Sequence, residues 1–478
     1  MSVLDQNQVI MRYFEEISSI PRGTYNEKGI SDYLVNFAKK HGLKYFQDDM
    51  YNVIIYKEGS QGYEDHPVLM LQGHMDMVCE KNNDCHHDFE HDPLDLYVED
   101  GWLKAKGTTL GADDGYAIAY MLAILESDTI AHPPLDCVFT VQEEVGLFGA
   151  NHLKAEYLRA KRMIGMDTGG ENVTCVSSSG GRRTTILKPL VKQSNDKNTY
   201  TLSVTGLLGG HSGGFIDKER GNANKLAFRM LKRLSEVFDI YLVNVFGGLK
   251  ENAIPRECVV TFSSGASFFE MKKILDKISH DIQFELEFSD PHFEYTLDLL
   301  KQKSCYCYDL QSSKEAIALV YLCPNGFKAK SMVIKDLTTV SLNLGVLRLE
   351  NDVLKCFYSI RSPIVSAKEE LTYQIETLAS LFNATVESKA DYPGWNYEKN
   401  SVMREVYREV IKEELHMTME EKASHGGLEI GILKGLIPEL DIVTLGPITE
   451  GAHTPDEKMN LASFKKMFEV LKVFLKKL

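Results

Sequence analysis

Helix-type and strand-type hydrophobic patterns alternate over about the first 180 residues of the chain. Apolar residues recurring every three to four positions indicate amphipathic helices, and short apolar runs between turn-forming residues indicate buried strands. The patterns predict helices over 5–18, 26–40 and 117–126, and strands over 53–56, 68–71, 138–141 and 162–166. Such alternation predicts an α/β sheet with helices on its faces, in which ligands bind beyond the carboxyl ends of the strands.

The pattern changes between residues 188 and 391, where no cluster of metal-binding residue types occurs. A strand and a helix are predicted there at 201–204 and 218–235, followed by further strand and helix patterns rich in Lys and Glu. The rest of the chain predicts a helix, a buried strand and a final helix, at 400–413, 440–445 and 460–478. Asn460 caps the final helix, whose apolar stripe lies opposite its lysines.

Five short segments with metal-binding side chains follow predicted strands or lie in glycine-rich turns. They are centred on His74, Asp113, Glu143-Glu144, Asp167 and His453. A single histidine or carboxylate is usually a solvated surface group, so the argument depends on their joint occurrence. Together they supply two imidazoles, three carboxylates for metal and one more carboxylate for proton transfer, which is what a two-metal hydrolase needs.

Three of these segments allow more than one interpretation. Asp76 lies two residues after His74, so both side chains point to one side of an extended chain and the carboxylate can orient the imidazole. Asp113 can either cap the following helix or bridge two cations. The adjacent Glu143 and Glu144 repel each other unless a cation or a shared proton intervenes, so one of them can bind metal while the other carries a proton.

The position of His453 determines the predicted domain organisation. This residue follows the metal-poor middle of the chain, whereas the other candidate ligands precede it. A chain of 478 residues is also too long for one typical core. We therefore expect a catalytic domain formed by residues 1–186 and 393–478, with a second domain inserted over 187–392.

Composition argues against several classes of partner. The chain has 53 Lys and Arg against 68 Asp and Glu, a net charge of 53 − 68 = −15, and no basic block. Nucleic acid and anionic membranes are therefore not expected partners. The N-terminus lacks the basic and apolar regions of a signal peptide, and the nine cysteines include no C-x-x-C pair. We expect a cytoplasmic protein with reduced thiols.

Two conspicuous motifs do not fit the chemistry that they suggest. Residues 87–91 match the inverted zincin pattern H-x-x-E-H, which requires a helix, but the surrounding Asn, Asp and Pro residues predict a loop. Residues 210–214 match the nucleophile motif G-x-S-x-G, but a glycine-rich segment separates Ser212 from the strand predicted at 201–204. We therefore expect neither a zincin nor a serine hydrolase.

Taken together, the motifs resemble those of the co-catalytic zinc aminopeptidase/carboxypeptidase superfamily, and within it the bacterial aminoacylhistidine dipeptidases, which hydrolyse Xaa-His dipeptides and carnosine. The resemblance extends over nearly the whole chain. It is carried by segments 20–24, 73–78, 107–115, 143–149, 209–214, 250–255, 425–429 and 453–457. It implies a mixed-sheet, phosphorylase/hydrolase-like α/β catalytic domain with an inserted α/β lid domain, through which two copies form a homodimer.

The same resemblance implies two zinc ions bridged by Asp113. His74 and Asp167 would complete one site, and Glu144 and His453 the other. Manganese or cobalt can also occupy nitrogen and oxygen sites of this kind. The implied substrate is a small peptide that is attacked by a water activated by both metals.

Further roles follow from the resemblance. Asp76 would orient a ligand imidazole, and Glu143 would be the general base and acid. His211, from the inserted domain, would reach the active site of the partner subunit and help to hold the tetrahedral intermediate. The residues that align with substrate-binding regions are Asn252, Arg361, His425 and Glu429.

The sequence departs from the family pattern at one position of these segments. The usual Asp-Asn pair is Asp113-Asp114 here, which is expected to add a charge without removing a ligand, and a cis peptide bond is expected at this point. Another amide hydrolase of the superfamily, such as a tripeptidase, an aminoacylase or a deacetylase, is the main alternative. A non-catalytic binding protein on the same fold is a further one, although every ligand position and the base are filled.

Overall fold

The computed structural model describes residues 2–478, which form two compact units. The first unit comprises the chain up to Ser177 together with Trp395–Ala423 and Leu428–Leu478. The second unit comprises Ser178–Gly394 and Ser424–Gly427. Both ends of the chain therefore belong to the first unit.

Helices and strands occur throughout both units. The helices are α1 Val9–Ser18, α2 Lys28–Lys40, α3 Ala112–Glu126, α4 Phe148–His152, α5 Ser212–Phe215, α6 Ala223–Ser235, α7 Phe268–Glu285, α8 Leu310–Leu322, α9 Val365–Leu381, α10 Val402–Val410, α11 Glu429–Leu436 and α12 Leu461–Lys477. A 3-10 turn, Ala155–Tyr157, and a π-helical turn, Ile411–Leu415, accompany them. The strands are β1 Lys44–Gln47, β2 Val53–Lys57, β3 Leu69–His74, β4 Leu96–Glu99, β5 Trp102–Ala105, β6 Leu135–Thr140, β7 Arg162–Gly165, β8 Val173–Ser178, β9 Gly180–Pro189, β10 Lys192–Ser194, β11 Asn198–Thr205, β12 Gly210–His211, β13 Tyr241–Gly247, β14 Ala253–Ile254, β15 Cys258–Ser264, β16 Glu294–Leu299, β17 Tyr306–Tyr308, β18 Gly326–Lys330, β19 Thr338–Glu350, β20 Val353–Ser362, β21 Thr385–Tyr392, β22 Glu420–Ser424, β23 Asp441–Thr444, β24 Thr449–Glu450 and β25 Lys458–Asn460.

A six-stranded mixed sheet forms the centre of the first unit, in the order β1-β2-β6-β3-β7-β23. Strands β6, β3, β7 and β23 run parallel, whereas on one side β2 pairs antiparallel with β6 and β1 pairs antiparallel with β2. Parallel strands present their carboxyl ends at the same end of a sheet. The segments that follow these four strands therefore start side by side.

Helices cover both faces of this sheet. Because successive strand residues point to opposite faces, Leu69 and Leu71 pack into the core that contains α1 and α3, while Met70 packs into the core that contains α11. Helix α3 is buried on all sides between Ala117 and Leu125, because β3 and α1 flank it. The predicted α/β class with a mixed sheet is thereby confirmed.

The strand predicted at 138–141 begins three residues earlier, as Leu135–Thr140. Its second residue, Asp136, is fully buried, and Arg159 donates a hydrogen bond of 2.8 Å to its carboxylate from Nε. The ion pair allows a charged residue inside a buried strand. The hydrophobic pattern could not identify this start because it treats an aspartate as a strand boundary.

An antiparallel sheet of nine strands forms the second unit, in the order β16-β11-β15-β13-β19-β20-β9-β21 with β18 on β19. The helix predicted at 218–235 begins at Ala223, because the side chain of Asn222 caps it by accepting a hydrogen bond from the N–H of Lys225.

No helix within residues 2–478 is both long enough and apolar enough to cross a membrane.

Candidate metal centre

The parallel strands of the first unit bring the candidate metal ligands together. β3 ends at His74, and the segments after β6, β7 and β23 carry the other strand-derived candidates, while Asp113 lies in the irregular first turn of α3. Ligand atoms within 4.8 Å of one another form three groups, His74–Glu143–Glu144, His74–Asp113–Asp167 and Asp113–Glu144–His453. All six side chains predicted as ligands or base therefore belong to one cluster.

The carboxylate of Asp113 lies between two histidines. Its Oδ1 is 3.0 Å from His74 Nε2, and its Oδ2 is 3.3 Å from His453 Nε2. The same nitrogen of His453 lies 3.0 Å from Glu144 Oε1. Each oxygen of Asp113 thus faces a different histidine.

Asp76 is a fully buried carboxylate that holds several parts of the centre. Its Oδ1 lies 3.5 Å from His74 Nδ1, and its carboxylate accepts hydrogen bonds from Thr24 Oγ1 at 2.9 Å. It also accepts the backbone N–H groups of Glu143 at 3.1 Å and Glu144 at 3.3 Å. With Nδ1 of His74 on the side of Asp76, Nε2 is left to face the ligand cluster.

Carboxylates crowd the centre. Burial raises the pKa of Glu143 and of Asp167 well above the ordinary value, and nearby negative charges, that of Asp167 for Glu143 and that of Asp113 for Asp167, raise it further. Like charges this close are relieved by protons or by cations. Imidazole nitrogens with carboxylate oxygens also form the donor set that zinc and related divalent metals take. The residues therefore fit a metal centre.

The two histidines are strong proton acceptors in this setting. Burial lowers the pKa of His74, but Asp113 and Asp76 outweigh this effect and raise it well above its usual value. Hydrogen bonds to Asp113 and Glu144 raise the pKa of His453 to about 10. A divalent cation must displace these protons to reach the ring nitrogens.

These residues lie within a stretch that matches a known family. The model of Peptidase family M20/M25/M40 matches residues 70–477. The chain belongs to this family. It is therefore a metal-dependent peptide hydrolase, in agreement with the donor set of the cluster.

Relatives of this M20 chain match it over its whole length. The cytosol non-specific dipeptidase of Escherichia coli (strain K12) is 34% identical over 483 residues, which cover 100% of this chain and 99% of the relative. The crystal structure of aminoacylhistidine dipeptidase from Vibrio alginolyticus is 30% identical, with a TM-score of 0.91 over 98% of this chain and 96% of that one. The aminopeptidase PepT of Bacillus cereus shares the fold, with a TM-score of 0.55 at 16% identity over 99% of both chains.

The departure from the usual M20 pattern at Asp114 has a different consequence from the one expected. The predicted cis peptide bond is present between Asp113 and Asp114. Asp114 is fully buried, and its Oδ2 accepts the backbone N–H of His74 at 3.2 Å. Burial raises the pKa of Asp114 well above its ordinary value, which favours the neutral carboxyl. This shift opposes the added charge that the sequence leads us to expect at Asp114.

Glu429, predicted as a substrate-binding residue, is a buried carboxylate at the start of α11. Its Oε2 accepts hydrogen bonds from Gln72 Nε2 at 2.7 Å and from Thr140 Oγ1 at 2.5 Å. Burial raises its pKa to about 7. Because Gln72 and Thr140 lie near the carboxyl ends of β3 and β6, Glu429 ties α11 to the end of the sheet that carries the metal cluster.

Three other predicted substrate or catalytic residues form one cluster in the second unit. Arg361 Nη2 lies 3.4 Å from His211 Nε2, and Arg361 Nη1 lies 3.5 Å from the carbonyl oxygen of His425. Burial and the charge of Arg361 lower the pKa of His211, so this histidine is neutral at pH 7. Because Nε2 accepts from the guanidinium in this arrangement, the ring proton is assigned to Nδ1.

The ring of His425 anchors its own loop. Its Nδ1 lies 2.8 Å from Ser179 Oγ and its Nε2 lies 2.7 Å from Ser341 Oγ. Burial and the charge of Arg361 lower its pKa to about 4. Both ring nitrogens of His425 are therefore occupied by serine hydroxyls of the same unit. Asn252, the remaining predicted substrate residue, lines a separate cavity of about 500 Å³ in the same unit.

The two motifs that the sequence argued against have no catalytic surroundings. The loop predicted at 87–91 is confirmed, because these residues form no helix. Ser212 begins the four-residue helix α5, and its buried Oγ has no hydrogen-bond partner among residues 2–478. A nucleophilic serine needs a hydrogen-bonded base. Ser212 therefore lacks the contact that would activate it.

Sequence reasoning missed three residues that contact the loops of the centre, namely Arg22, Thr24 and Glu457. All three lie within motifs 20–24 and 453–457, which carry the family resemblance. A charged residue inside such a motif indicates that its side chain makes a contact within the protein. The partners of that contact cannot be predicted from the sequence, because they are backbone groups of distant segments.

Proposed function

We propose that this chain is a two-metal dipeptidase that uses Glu143 as general base and accepts Xaa-His dipeptides among its substrates. One observation carries the proposal: the two oxygens of Asp113 face histidines from two different groups of donors, His74 at 3.0 Å and His453 at 3.3 Å. A carboxylate in this position can serve two cations at once. A single-metal site would need neither the second histidine nor the shared oxygen.

Two zinc ions are the cations that this donor set suits, with manganese and cobalt as other occupants. We assign His74, Asp113 and Asp167 to one ion and Asp113, Glu144 and His453 to the other, which corresponds to two of the three groups of neighbouring donors. The third group, His74–Glu143–Glu144, contains the proposed base. The crowding of buried carboxylates supports this assignment because two dications would relieve it.

When bound, the ions lower the pKa of an attacking water and polarise the peptide carbonyl. Glu143 then takes up the proton of that water and passes it to the leaving amine. Its burial and its acidic neighbours raise its pKa, so Glu143 holds a proton more readily than an exposed glutamate. Asp76 fixes the backbone N–H of Glu143 at 3.1 Å and thereby the reach of this base.

His211 and Arg361 are proposed to act on the substrate outside the metal ligands. A neutral His211 with a proton on Nδ1 can donate to the developing oxyanion, and the guanidinium of Arg361 suits a carboxylate. Their separation of 3.4 Å within one chain supports a joint role, as does the carbonyl of His425 at 3.5 Å from the same guanidinium. Asn252 is proposed as a further polar contact to the substrate.

Whether His211 serves the active site of its own subunit or that of the partner is decided by mixing inactive His211→Ala and Glu143→Ala chains. Activity returns only if one subunit supplies His211 to the active site of the other.

Homodimer formation through the second unit is proposed from an exposed apolar surface. Leu249 is 78% exposed and Phe246 is 49% exposed beside a cavity of about 290 Å³, lined also by Ile254, Pro255 and Val259. Apolar patches of this kind mark interfaces. Sedimentation of the wild type should show a dimer, and sedimentation of Leu249→Glu should show a monomer. A monomeric wild type would contradict the proposal.

A cytoplasmic location is proposed as well, in line with the name of the E. coli relative.

The decisive experiment uses chelator-treated protein reloaded with zinc, manganese or cobalt. We expect activity to return with metal toward dipeptides, including Xaa-His dipeptides and carnosine, and not toward tripeptides or N-acyl amino acids. Preference for either of the last two classes would indicate another amide hydrolase of the family. Metal-loaded protein that hydrolyses nothing on the panel would indicate a binding protein and overturn the proposal. Glu143→Ala serves as the matched inactive control.

A further inference from the structure

The turn that carries Asp113 is held by two buried charged side chains from opposite ends of the sequence. Glu457 accepts the backbone N–H of Leu110 at 2.8 Å and of Gly111 at 2.9 Å with Oε2, and that of Asp113 at 3.2 Å with Oε1. Only 2% of Glu457 is exposed. Three backbone donors therefore converge on one carboxylate that binds no proposed cation and touches no other side chain of the cluster.

Arg22 holds the same turn from its other side. Its Nη2 donates to the carbonyl of Gly111 at 2.5 Å, and its Nη1 donates to the carbonyl of Met75 at 2.9 Å. Arg22 is 1% exposed, and Nη1 also lies 3.4 Å from the carbonyl oxygen of Asp76. One guanidinium thus connects the turn to the residues that follow His74 in the chain.

Gly111 is the point at which both side chains meet the backbone. Its N–H is bonded to Glu457 and its carbonyl to Arg22, so a single residue lies between the two charges. Its φ of +64° belongs to the left-handed region, and a Cβ there would lie 2.6 Å from Arg22 Nη2 and 2.8 Å from Met77 Sδ. A side chain at this position would separate the guanidinium from the carbonyl.

Burial of these two charged groups is unfavourable in itself. Charged groups lose most of their hydration on burial, and well-packed apolar residues commonly replace buried ion pairs without loss of stability. What apolar residues cannot do is accept three N–H groups and donate to two segments in fixed directions. What the two side chains provide is therefore the geometry of the backbone on both sides of Asp113.

We propose that Arg22 and Glu457 are positioning residues that clamp the turn at Gly111 and so hold the two oxygens of Asp113 toward two separate cations. The inference rests on the proposed function, in which Asp113 is the shared ligand. Glu457 also lies four residues after His453, so one short segment carries both the clamp and the last proposed ligand of the chain. Loss of the clamp should weaken metal binding without removing a ligand.

The test compares Glu457→Gln with Asp456→Asn, which removes a charge from the exposed neighbouring residue. Glutamine keeps the shape of Glu457 but places an NH2 group against one of the three N–H donors. In metal-free protein we expect faster hydrogen exchange over residues 107–116 in Glu457→Gln alone, with unchanged exchange in α10 of the same unit as evidence of folding. On titration with cobalt(II), followed by the visible absorption of the bound ion, we expect affinity to fall about 10- to 100-fold, as for other residues that orient ligands.

Arg22→Lys supplies the second variant, because one ammonium cannot donate to both segments with the geometry of the guanidinium fork. It should show faster exchange in the same segment and weaker cobalt binding. Exchange at the wild-type rate in both variants, or cobalt affinity within about twofold of the wild type, would overturn the clamp. If wild-type protein binds no pair of ions, the proposed function fails instead, while the exchange of metal-free protein still decides whether the clamp exists.

Discussion

Asp76 accepts the backbone N–H of Glu143 at 3.1 Å while its other contacts include His74 Nδ1 at 3.5 Å. The backbone carbonyl oxygen of Asp76 also lies 3.0 Å from His74 Nδ1, so this residue contacts a proposed metal ligand through its backbone and its carboxylate, while the carboxylate also holds the proposed base. These two functions are usually discussed separately, since orientation of the ligand affects metal binding and position of the base affects turnover. In this chain a change at Asp76 should affect both.

Asp76→Asn is therefore expected to lower kcat more than it lowers metal affinity. An asparagine can accept through one oxygen only, so its NH2 group replaces either Oδ1, which faces His74 and the N–H of Glu143, or Oδ2, which faces Thr24 and the N–H of Glu144. We expect loss of about 10- to 100-fold in kcat with both ions still bound. Steady-state kinetics with metal analysis checks this, with Asp65→Asn on the exposed surface as the control. A variant with wild-type kcat would show that the contact does not position the base.

Glu143→Ala should abolish turnover and leave metal content nearly unchanged. Glu143 is proposed to carry the proton, and its removal leaves the shared carboxylate and both histidines in place. The loss expected for a general base is about 100- to 10,000-fold in kcat. Kinetics at saturating substrate together with metal analysis provides the measurement. Undiminished activity would remove Glu143 from this role.

Glu144→Ala is the matched counterpart of Glu143→Ala, because it removes the same side-chain atoms from the neighbouring glutamate. His453 Nε2 lies 3.0 Å from Glu144 Oε1, so the alanine removes a donor from one proposed site. We expect one ion to be lost on dialysis against a weak chelator and the other to be retained. Full retention of both ions in Glu144→Ala, combined with loss of metal in Glu143→Ala, would reverse the two assignments.

Much of the metal cluster could be predicted because its residues follow short apolar runs. His74, Asp167 and His453 come after parallel strands, and the carboxyl ends of such strands meet in space. The role of Asp113 was harder to predict from the hydrophobic pattern, since an aspartate at the start of a helix can equally be a helix cap. The family resemblance implied the bridge, and the contacts of Asp113 at 3.0 and 3.3 Å with two distant histidines favour it as well.

The supporting residues could not be predicted, for a physical reason. Glu457 and Arg22 are charged, and the hydrophobic pattern assigns charged residues to the surface. Their partners are backbone groups, which carry no sequence signal. The same limit applies to the nine-stranded sheet of the second unit, where antiparallel strands with one exposed face contain many lysines and glutamates between the buried positions.

Metal binding should release protons and weaken as the pH falls. The pKa of His453 is raised to about 10 by hydrogen bonds to Asp113 and Glu144, and that of His74 is raised as well, so both rings carry an added proton at pH 7 in metal-free protein. A cation binds the deprotonated ring, so every decrease in pH below these values favours the proton over the cation. Calorimetry in buffers of different ionisation enthalpy should show release of more than one proton in the wild type and less in His453→Gln. A metal affinity that does not change between pH 6 and 8 would contradict the expected weakening of metal binding at low pH.

Asp114→Asn tests whether the extra carboxyl of this chain is neutral. Burial raises the pKa of Asp114 well above its ordinary value, so the folded state binds a proton that the unfolded chain releases once the pH exceeds the ordinary value. Stability should therefore fall as the pH rises from that value toward the raised one, and the asparagine should remove the part of this pH dependence that Asp114 contributes. Because an asparagine oxygen can still accept the N–H of His74, metal content and kcat should stay within about twofold of the wild type. Denaturant unfolding of metal-free protein at several pH values measures how the free energy of unfolding changes with pH. A variant that is less stable than the wild type at neutral pH would show that Asp114 is ionised and that its charge contributes to the fold.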